Sequence, residues 1–368
     1  MRVLHVYETI PGGPATYFNE TVPAQIEKYG AENVRVIVPA SHLSHIKNTP
    51  SSCIATFKRK RRYRSLPALA RAVVAEVKSF RPDVVHAHST FAGVIVRSIG
   101  AVSKGFPPIV YCPHGWVFDM QTLGPFRLPA QWVERLLAPF CRKIVAISHH
   151  EYQRGLSAGI DARRMIVIEN GISANKPLAV SVEWNDPRTK VLFIGRLDRQ
   201  KGVDILLKAA EGLEDHAVFK VIGAHVTTKN TMSSTVPDNV ELCGWKSPEE
   251  IAGYLSACDV VVMPSRWEGF GLVALEAMRS EKAVIASAVG GLQSVVKHGE
   301  TGLLFPAEDH QALRQAILSH DKPGWAQMGA AGYQRFMAHY RSDRTNAELM
   351  SLYDEVSSKA QVRARVLA

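Results

Sequence analysis

Short apolar runs alternate with helix-period stretches along most of the chain. RVLHVY (2–7), VRVIVP (34–39), DVVHAH (83–88), PIVYC (108–112) and KIVAIS (143–148) read as buried strands, rich in β-branched residues and of strand length. Between two of them, LPALARAVVAEVKSF (66–80) places Leu66, Leu69, Ala70, Val73, Val74 and Val77 at helical spacing. Such alternation predicts a parallel sheet with helices on both faces. The pattern breaks over 170–190, NGISANKPLAVSVEWNDPRTK, where Gly, Pro, Asn and Ser accumulate without a period, as in a linker. A second α/β series follows: VLFIG (191–195), FKVIG (219–223), VELCG (240–244), DVVVMP (259–264), AVIAS (283–287) and GLLF (302–305). The tail, 342–362, again has a helical pattern. The expected fold class is therefore α/β, with two Rossmann-like, doubly wound domains over 1–175 and 176–342. A C-terminal helix, 343–368, could by its pattern pack back on either domain, with the N-terminal domain the expected one. If the two domains face each other by their strand C-termini, the loops after the strands line a central cleft.

The chain has 368 residues, enough for two domains, with 46% hydrophobic and 21% charged residues, the balance of a globular protein with a real core. No apolar run approaches the ~18 residues of a membrane span, and the N-terminus reads as a strand entering a loop rather than as a signal peptide. Cysteines 53, 112, 141, 243 and 258 are odd in number and contain no CxxC pair, which suits reduced thiols and a cytoplasmic location better than a disulfide frame or a structural zinc. The formal net charge is +10, which calls for anionic partners. It is concentrated in KRKRRYR (58–64), either a solvated face or a dock for anionic lipid at the inner face of a membrane. With few interleaved aromatics and no recognised module, the run does not point to nucleic acid.

Three loops hold candidate chemistry. In ETIPGGPATYFNE (8–20), Gly12 and Gly13 are either a plain glycine turn or a bare-backbone seat for phosphate at a helix N-terminus. In GRLDRQKG (195–202), Arg196 and Lys201 are either a solvated basic pair or a clamp on phosphate oxygens. In EGFGLVALE (268–276), Glu268 follows a strand, Gly269 and Gly271 expose backbone amides, and Phe270–Met278 is expected to be helical. Carboxylates accept paired hydrogen bonds from sugar diols and helix-tip amides hold phosphate, so this segment suits a sugar–diphosphate–ribose molecule. The Rossmann GxGxxG and the P-loop are absent, against dehydrogenases and P-loop NTPases.

EGFGLVALE resembles the E-x7-E signature of the family 4 retaining glycosyltransferases, and GRLDRQKG resembles their G-R-x4-K-G loop. VIENGI (167–172), AVGGLQSVV (288–296) and HGETGLLF (298–305) are similar to further loops of that family. The resemblance implies a GT-B fold with the nucleotide sugar mainly on the second domain. Arg196 and Lys201 would hold the diphosphate, Glu276 the ribose hydroxyls, and Glu268 the sugar hydroxyls. The amides of Gly269, Phe270, Gly271, Leu272 and Val273 would serve sugar and phosphate, with backbone near Cys243 and Gly244 framing the base. Gly12 and Gly13 would lie near the diphosphate, and His114 in YCPHGW would match the family's cleft histidine. The pattern departs at Ser294, where relatives carry the Glu of G-G-x-x-E, so no contact of that Glu is carried over. His86 and His88 form an H-x-H pair with no third ligand evident, read as strand-end residues lining the cleft; Asp119 is an acceptor-side candidate.

No D-x-D metal motif occurs, so the cations and helix tips are expected to stabilise the leaving diphosphate without a metal or other cofactor. The expected activity is transfer of a hexose, from GDP-mannose or a UDP-sugar, to a glycan or polyprenyl-linked acceptor in polysaccharide assembly. A nucleotide-sugar epimerase of the same architecture and a non-catalytic nucleotide-sugar-binding subunit are the alternatives.

Overall fold

The computed structural model describes residues 1–59, 62–224 and 236–367, with the side chains of 62, 63, 121 and 359–367 outside that description. Two compact units result: unit 1 is Met1–Ile172 with Ser342–Ala368, and unit 2 is Ser173–Arg341. The chain thus passes between units at 172/173 and 341/342, against 175/176 and 342/343 in the sequence reading.

Unit 1 is built from β1 (Val3–Tyr7), α1 (Gly13–Tyr29), β2 (Val34–Pro39), β3 (Ile54–Phe57), α2 (Leu66–Phe80), β4 (Val84–His88) and α3 (Ser89–Val102), then β5 (Ile109–Cys112), α4 (Arg127–Leu137), β6 (Lys143–Ala146), α5 (His149–Ser157) and β7 (Met165–Val167). The seven strands are all parallel in the order β3-β2-β1-β4-β5-β6-β7. Both faces are covered, as an all-parallel sheet requires. Leu4, Val6, Val85 and Ala87 pack in one cluster with Leu69, Val73 and Val96, while Tyr7, Val36 and Val38 pack on the other side with Phe18 and Val22. Two strands go unanticipated from the sequence. Ile54–Phe57 holds Thr and Ala at an edge with half-exposed positions, and Met165–Val167 spans three residues, so neither has a distinctive apolar pattern.

Unit 2 contains β8 (Thr189–Ile194), α6 (Val203–Ala210), β9 (Ala217–Ile222), β10 (Val240–Gly244), α7 (Pro248–Ala257), β11 (Val260–Met263), α8 (Leu272–Arg279), β12 (Ala283–Ser287), α9 (Leu292–Val295), β13 (Gly302–Phe305), α10 (His310–Leu318) and α11 (Lys322–His339). Its six parallel strands run β10-β9-β8-β11-β12-β13. The last two linker residues, Thr189 and Lys190, already belong to β8. Ser247 and Glu250 close a reciprocal capping box on α7.

The final helix, α12 (Ser342–Leu367), belongs to unit 1. Asn346 Nδ2 donates to the Glu20 carbonyl at 2.9 Å and Arg344 Nη2 to that of Glu169 at 2.9 Å. No helix among the described residues is long and apolar enough to cross a membrane, and all five cysteines are free thiols.

One buried ion pair fixes α4. Arg97 on α3 donates from Nη2 to Glu134 Oε2 at 2.7 Å, Tyr111 OH donates to Oε1 at 3.0 Å, and both charged side chains are almost fully enclosed. Removing one partner strands the other charge. Glu134→Leu should therefore destabilise unit 1 by about 3–5 kcal/mol, and the double change Arg97→Met/Glu134→Leu should recover most of that loss. Urea midpoints of the unit 1 transition measure both; a single variant unfolding at the wild-type midpoint would remove the pair from the account.

Candidate active site

Parallel strands deliver the loops after β8, β11 and β12 to one edge of unit 2. In the first, Arg196 Nη2 donates to Gln200 Oε1 at 2.7 Å and its Nε lies 3.1 Å from Asp198 Oδ2. Gln200 in turn donates from Nε2 to the Trp267 carbonyl at 3.2 Å, and its own carbonyl accepts from the Arg266 amide at 2.8 Å. Arg266 also holds Asp204 at the start of α6 through a two-pronged pair at 2.9 and 2.7 Å. These bonds stitch the first loop to the second and set Lys201 against Glu268, whose Oε2 accepts directly from Lys201 Nζ. Ser265 Oγ lies 3.5 Å from the same oxygen.

The third loop holds the second from behind. Gly290 has φ +52, and a Cβ there would lie 1.8 Å from the Glu268 carbonyl oxygen; one on Gly291 would lie 2.6 Å from the Gly269 oxygen. The double glycine of AVGGLQSVV therefore exists because the Glu268–Phe270 backbone crosses in contact with it. Ser294, at the family's Glu position, offers its carbonyl oxygen to Arg335 Nη2 at 2.8 Å and to Tyr340 OH at 3.2 Å.

The helix expected from Phe270 begins instead at Leu272, capped by Gly271 in the left-handed region at φ 99. Phe270 lies in the loop with its ring buried edge-on against Tyr340, centroids 5.9 Å apart, so only its backbone can face a ligand. On α8, Leu272, Val273 and Glu276 are the half-exposed positions of the first two turns, and Ala274, Leu275, Ala277 and Met278 point into the core. Cys243 and Gly244 end β10, two strands from β8 along the same edge, with the Gly244 carbonyl accepting from Gly223 N at 2.9 Å.

Unit 1 carries its own polar cluster. Gly12 caps α1 at φ 89, and Gly13 is the first helical residue, ahead of Pro14. Cross-strand register places His5 beside His86 and Tyr7 beside His88. A chain of hydrogen bonds runs from Gln25 Oε1 to His5 Nε2 at 2.7 Å, His5 Nδ1 to His88 Nε2 at 3.0 Å, and His88 Nδ1 to His114 Nε2 at 3.0 Å. The tautomers follow in order, because the Gln25 oxygen can only accept. His5 carries its proton on Nε2, so its Nδ1 accepts from His88 Nε2–H, and His88 Nδ1 accepts from His114 Nε2–H. His114 Nδ1 is thereby left as an acceptor.

His114 itself has φ 55 and Gly115 φ 99, a strained pair for a non-glycine residue. Glu151 clamps it: its carboxylate accepts from Gly115 N at 2.5 Å and Ile147 N at 2.6 Å, and its carbonyl accepts from Trp116 Nε1 at 2.7 Å. Burial pushes the Glu151 carboxyl up to about 7. It also pushes His5 down to about 4 and His114 to about 3, and lowers His86 and His88 strongly, so the whole layer is neutral at pH 7.

Known families match these features. The model "Glycosyl transferases group 1" covers residues 177–335, and "Glycosyltransferase Family 4" covers residues 11–176. The chain belongs to glycosyltransferase family 4. It is 32% identical to an uncharacterised 41.2 kDa protein in the cps region of Klebsiella pneumoniae, over 88% of this chain and 91% of that protein. It is 26% identical to the UDP-Gal:alpha-D-GlcNAc-diphosphoundecaprenol alpha-1,3-galactosyltransferase of Escherichia coli, over 66% and 67% of the two chains. In fold it is similar to Anabaena Alr3699/HepE, solved in complex with UDP and glucose, at a TM-score of 0.78, 20% identity and 96% and 99% coverage. The architecture is thus GT-B, with two Rossmann-like units, each on its own parallel sheet.

Set on the glycosyltransferase, the site residues divide clearly. Arg196, Lys201, Glu268, Gly269, Gly271, Leu272 and Val273 come together on one edge of unit 2, with Glu276 further along α8. His86 and His88, expected to line a cleft, are instead fully buried in unit 1 between the sheet and its helices, where Tyr353 OH of α12 meets His86 Nδ1 at 2.6 Å. The third imidazole missing from the H-x-H pair is His5: the three offer ligand nitrogens within 4.8 Å of one another. Hydrogen bonds already engage five of their six ring nitrogens, and His86 Nε2 is without a partner among the described residues. Asp119 is committed to Arg154 Nε at 2.7 Å. Of the basic run 58–64, Lys60 and Arg61 lie outside the described residues, and Arg59 Nε is bound to the buried Glu8 at 3.0 Å. Glu151 and Gln25 have no signal in the sequence, whereas His5 has one: HVY and HAH repeat the same period-2 face on two strands.

The neutral imidazoles set the pH response. Between about pH 4 and 6.5 the unfolded chain binds protons at these four histidines that the folded one does not, so stability rises with pH, by up to ~1.4 kcal/mol per pH unit per proton. Glu151 opposes this with at most one proton between its ordinary range and about 7. The buried tyrosines 7, 17 and 353 and Cys112 are pushed upward and stay protonated throughout. Unit 1 should therefore gain stability from pH 5 to 6.5 and level off above 7, and His5→Asn should flatten the slope. Chemical denaturation at half-unit pH steps checks this; a wild-type slope of zero or of opposite sign would contradict it.

Proposed function

We propose that this enzyme transfers a hexosyl group from a nucleoside-diphosphate sugar to a glycan or polyprenyl-linked acceptor, with retention of anomeric configuration and without a metal ion. The observation that carries the reading is the joining of Lys201 to Glu268 beside Arg196 and the amide-lined start of α8. Without donor, Glu268 neutralises Lys201. A diphosphate entering the site competes for the ammonium, and Glu268 is released to accept hydrogen bonds from sugar hydroxyls. Arg196 exchanges Gln200 and Asp198 for phosphate oxygens in the same way. As the C1–O bond to the diphosphate breaks, its negative charge grows against two fixed cations and the positive end of a helix, where preorganised charge contributes most. The acceptor oxygen attacks C1 from the same face, and its proton passes to the departing phosphate oxygen. Glu268 on this account orients the sugar and takes no proton.

Glu276 is assigned to the ribose, and backbone at Cys243 and Gly244 to the base. His114 is assigned to the sugar on its motif, its Nδ1 accepting from a hydroxyl. A uridine donor is favoured by the relatives, since the E. coli enzyme is named for UDP-Gal and the Anabaena protein was solved with UDP. The diphosphoundecaprenol in the E. coli enzyme's name, and the cps region of the K. pneumoniae relative, favour a lipid-linked acceptor in capsule-type polysaccharide assembly at the cytoplasmic membrane.

The decisive assay is release of free nucleotide from a panel of UDP- and GDP-sugars, with and without sugar-diphospho-polyprenol acceptors. Release that depends on acceptor, survives EDTA and yields a product with the donor's anomeric configuration by NMR is expected. Interconversion of the sugar with no release would indicate an epimerase instead. Lys201→Ala should lower kcat by about 10²–10³, and Glu276→Ala should chiefly raise KM for the donor. A Lys201→Ala enzyme within a factor of about two of wild type would remove Lys201 from the leaving-group role.

A further inference from the structure

Helix α4 is amphipathic in the wrong sense for water. Its inward stripe is Ala130 and Glu134, continued past the helix end by Ala138, at four-residue spacing, with Glu134 bound to Arg97 and Tyr111. The opposite stripe is Leu128, Trp132 and Leu136, continued by Phe140, and these side chains are 66%, 57%, 64% and 45% exposed. Phe126 (67%) and Val133 (42%) widen it. A helix on the surface of a globular protein ordinarily turns its apolar stripe to the core and its charges to solvent; here the one carboxylate is inside and the large apolar side chains are outside, beside the exposed Arg127 and Arg135. A contiguous exposed patch of this kind marks an interaction surface.

The chemistry around the patch selects its partner. From Met120 to Lys143 there are four cations, Arg127, Arg135, Arg142 and Lys143, and one carboxylate, Glu134, which is buried and paired. No exposed carboxylate in this segment would repel an anionic surface. Arg135 lies over the Trp132 ring at 5.4 Å, so indole and guanidinium share one place on the apolar face. An apolar stripe bearing Trp, rimmed by arginines, is the composition of a helix that lies in the headgroup–acyl boundary of a bilayer.

We infer that α4, with Phe126 and Phe140 at its ends, is the membrane-docking surface of this protein, seating its Leu–Trp–Leu stripe in an anionic lipid leaflet. The surface lies outside the basic run 58–64, in which Arg59 is already bound to Glu8. On its inward face α4 brings Ala130 to the core beside the buried Glu134–Arg97 pair. Docking of this kind needs no donor, acceptor or turnover.

Vesicle flotation of the full chain tests it. Wild type should float with phosphatidylglycerol-containing vesicles, less with pure phosphatidylcholine, and less again at high salt. Trp132→Ser/Leu136→Ser, both at exposed positions, should bind about tenfold or more weakly with unchanged circular dichroism and thermal midpoint, and Arg135→Gln should lose part of the preference for anionic lipid. Trp132 fluorescence should shift to the blue on adding vesicles. Equal flotation of the double variant and wild type would overturn the inference, as would loss of flotation only in a charge-neutral 58–64 variant. So would a wild type that ignores vesicles and instead forms a dimer that the double variant dissolves by sedimentation equilibrium, since the patch would then be an interface between copies.

Discussion

Parallel pairing forces the C-terminal ends of neighbouring strands onto one edge, and most of the chemistry in unit 2 follows from that constraint. β8, β11 and β12 are adjacent, so the loops after them meet whatever their separation in sequence. Residues 196, 201, 268 and 290 come from three segments spread over almost a hundred residues, yet Gln200, Arg266 and the double glycine bind the segments into one surface. The Lys201–Glu268 pair is the product of that convergence. In the proposed function the cation of that pair is the group that meets phosphate, and the anion the group that accepts from sugar hydroxyls.

Unit 1 uses the same sheet construction differently. One face of its central strands is apolar, and the other carries a layer of imidazoles and tyrosine rings. The layer is nearly satisfied internally: His114, His88 and His5 each hand a hydrogen bond to the next until Gln25 ends the series, while His86 pairs with Tyr353. Such a network fixes tautomers and ring orientations in a way an apolar core could not, and it is neutral because burial makes a charged imidazole costly. It ends at His114, whose strained backbone is held by the Glu151 carboxylate. The side chain named by the family motif is thus oriented by groups the motif does not contain.

Local pattern was a good guide wherever burial on both faces made strands continuous apolar runs. The alternation of such runs with helix-period stretches was enough for two doubly wound domains, and the glycine-framed loops it singled out are ones the fold brings together at Arg196, Lys201 and Glu268. The guide failed where the fold asks little of local sequence: β3 sits at an edge, β7 is three residues long, and the start of α8 is set by Gly271 rather than by periodicity.

Sequence by itself determined the architecture and the chemical character of the loops, because strand hydrophobicity, helical period and glycine are properties of neighbouring residues. Tertiary structure alone decided which charges are committed and which face of a helix meets solvent. Arg59 and Asp119 look free in one dimension and are ion-paired in three; His88 does end its strand, but it and His86 are buried in the core. The apolar stripe on α4 faces solvent because Glu134 points inward to Arg97 and Tyr111. The physical reason is the same in each case: pairing and burial depend on partners dozens of residues away, which no local period encodes.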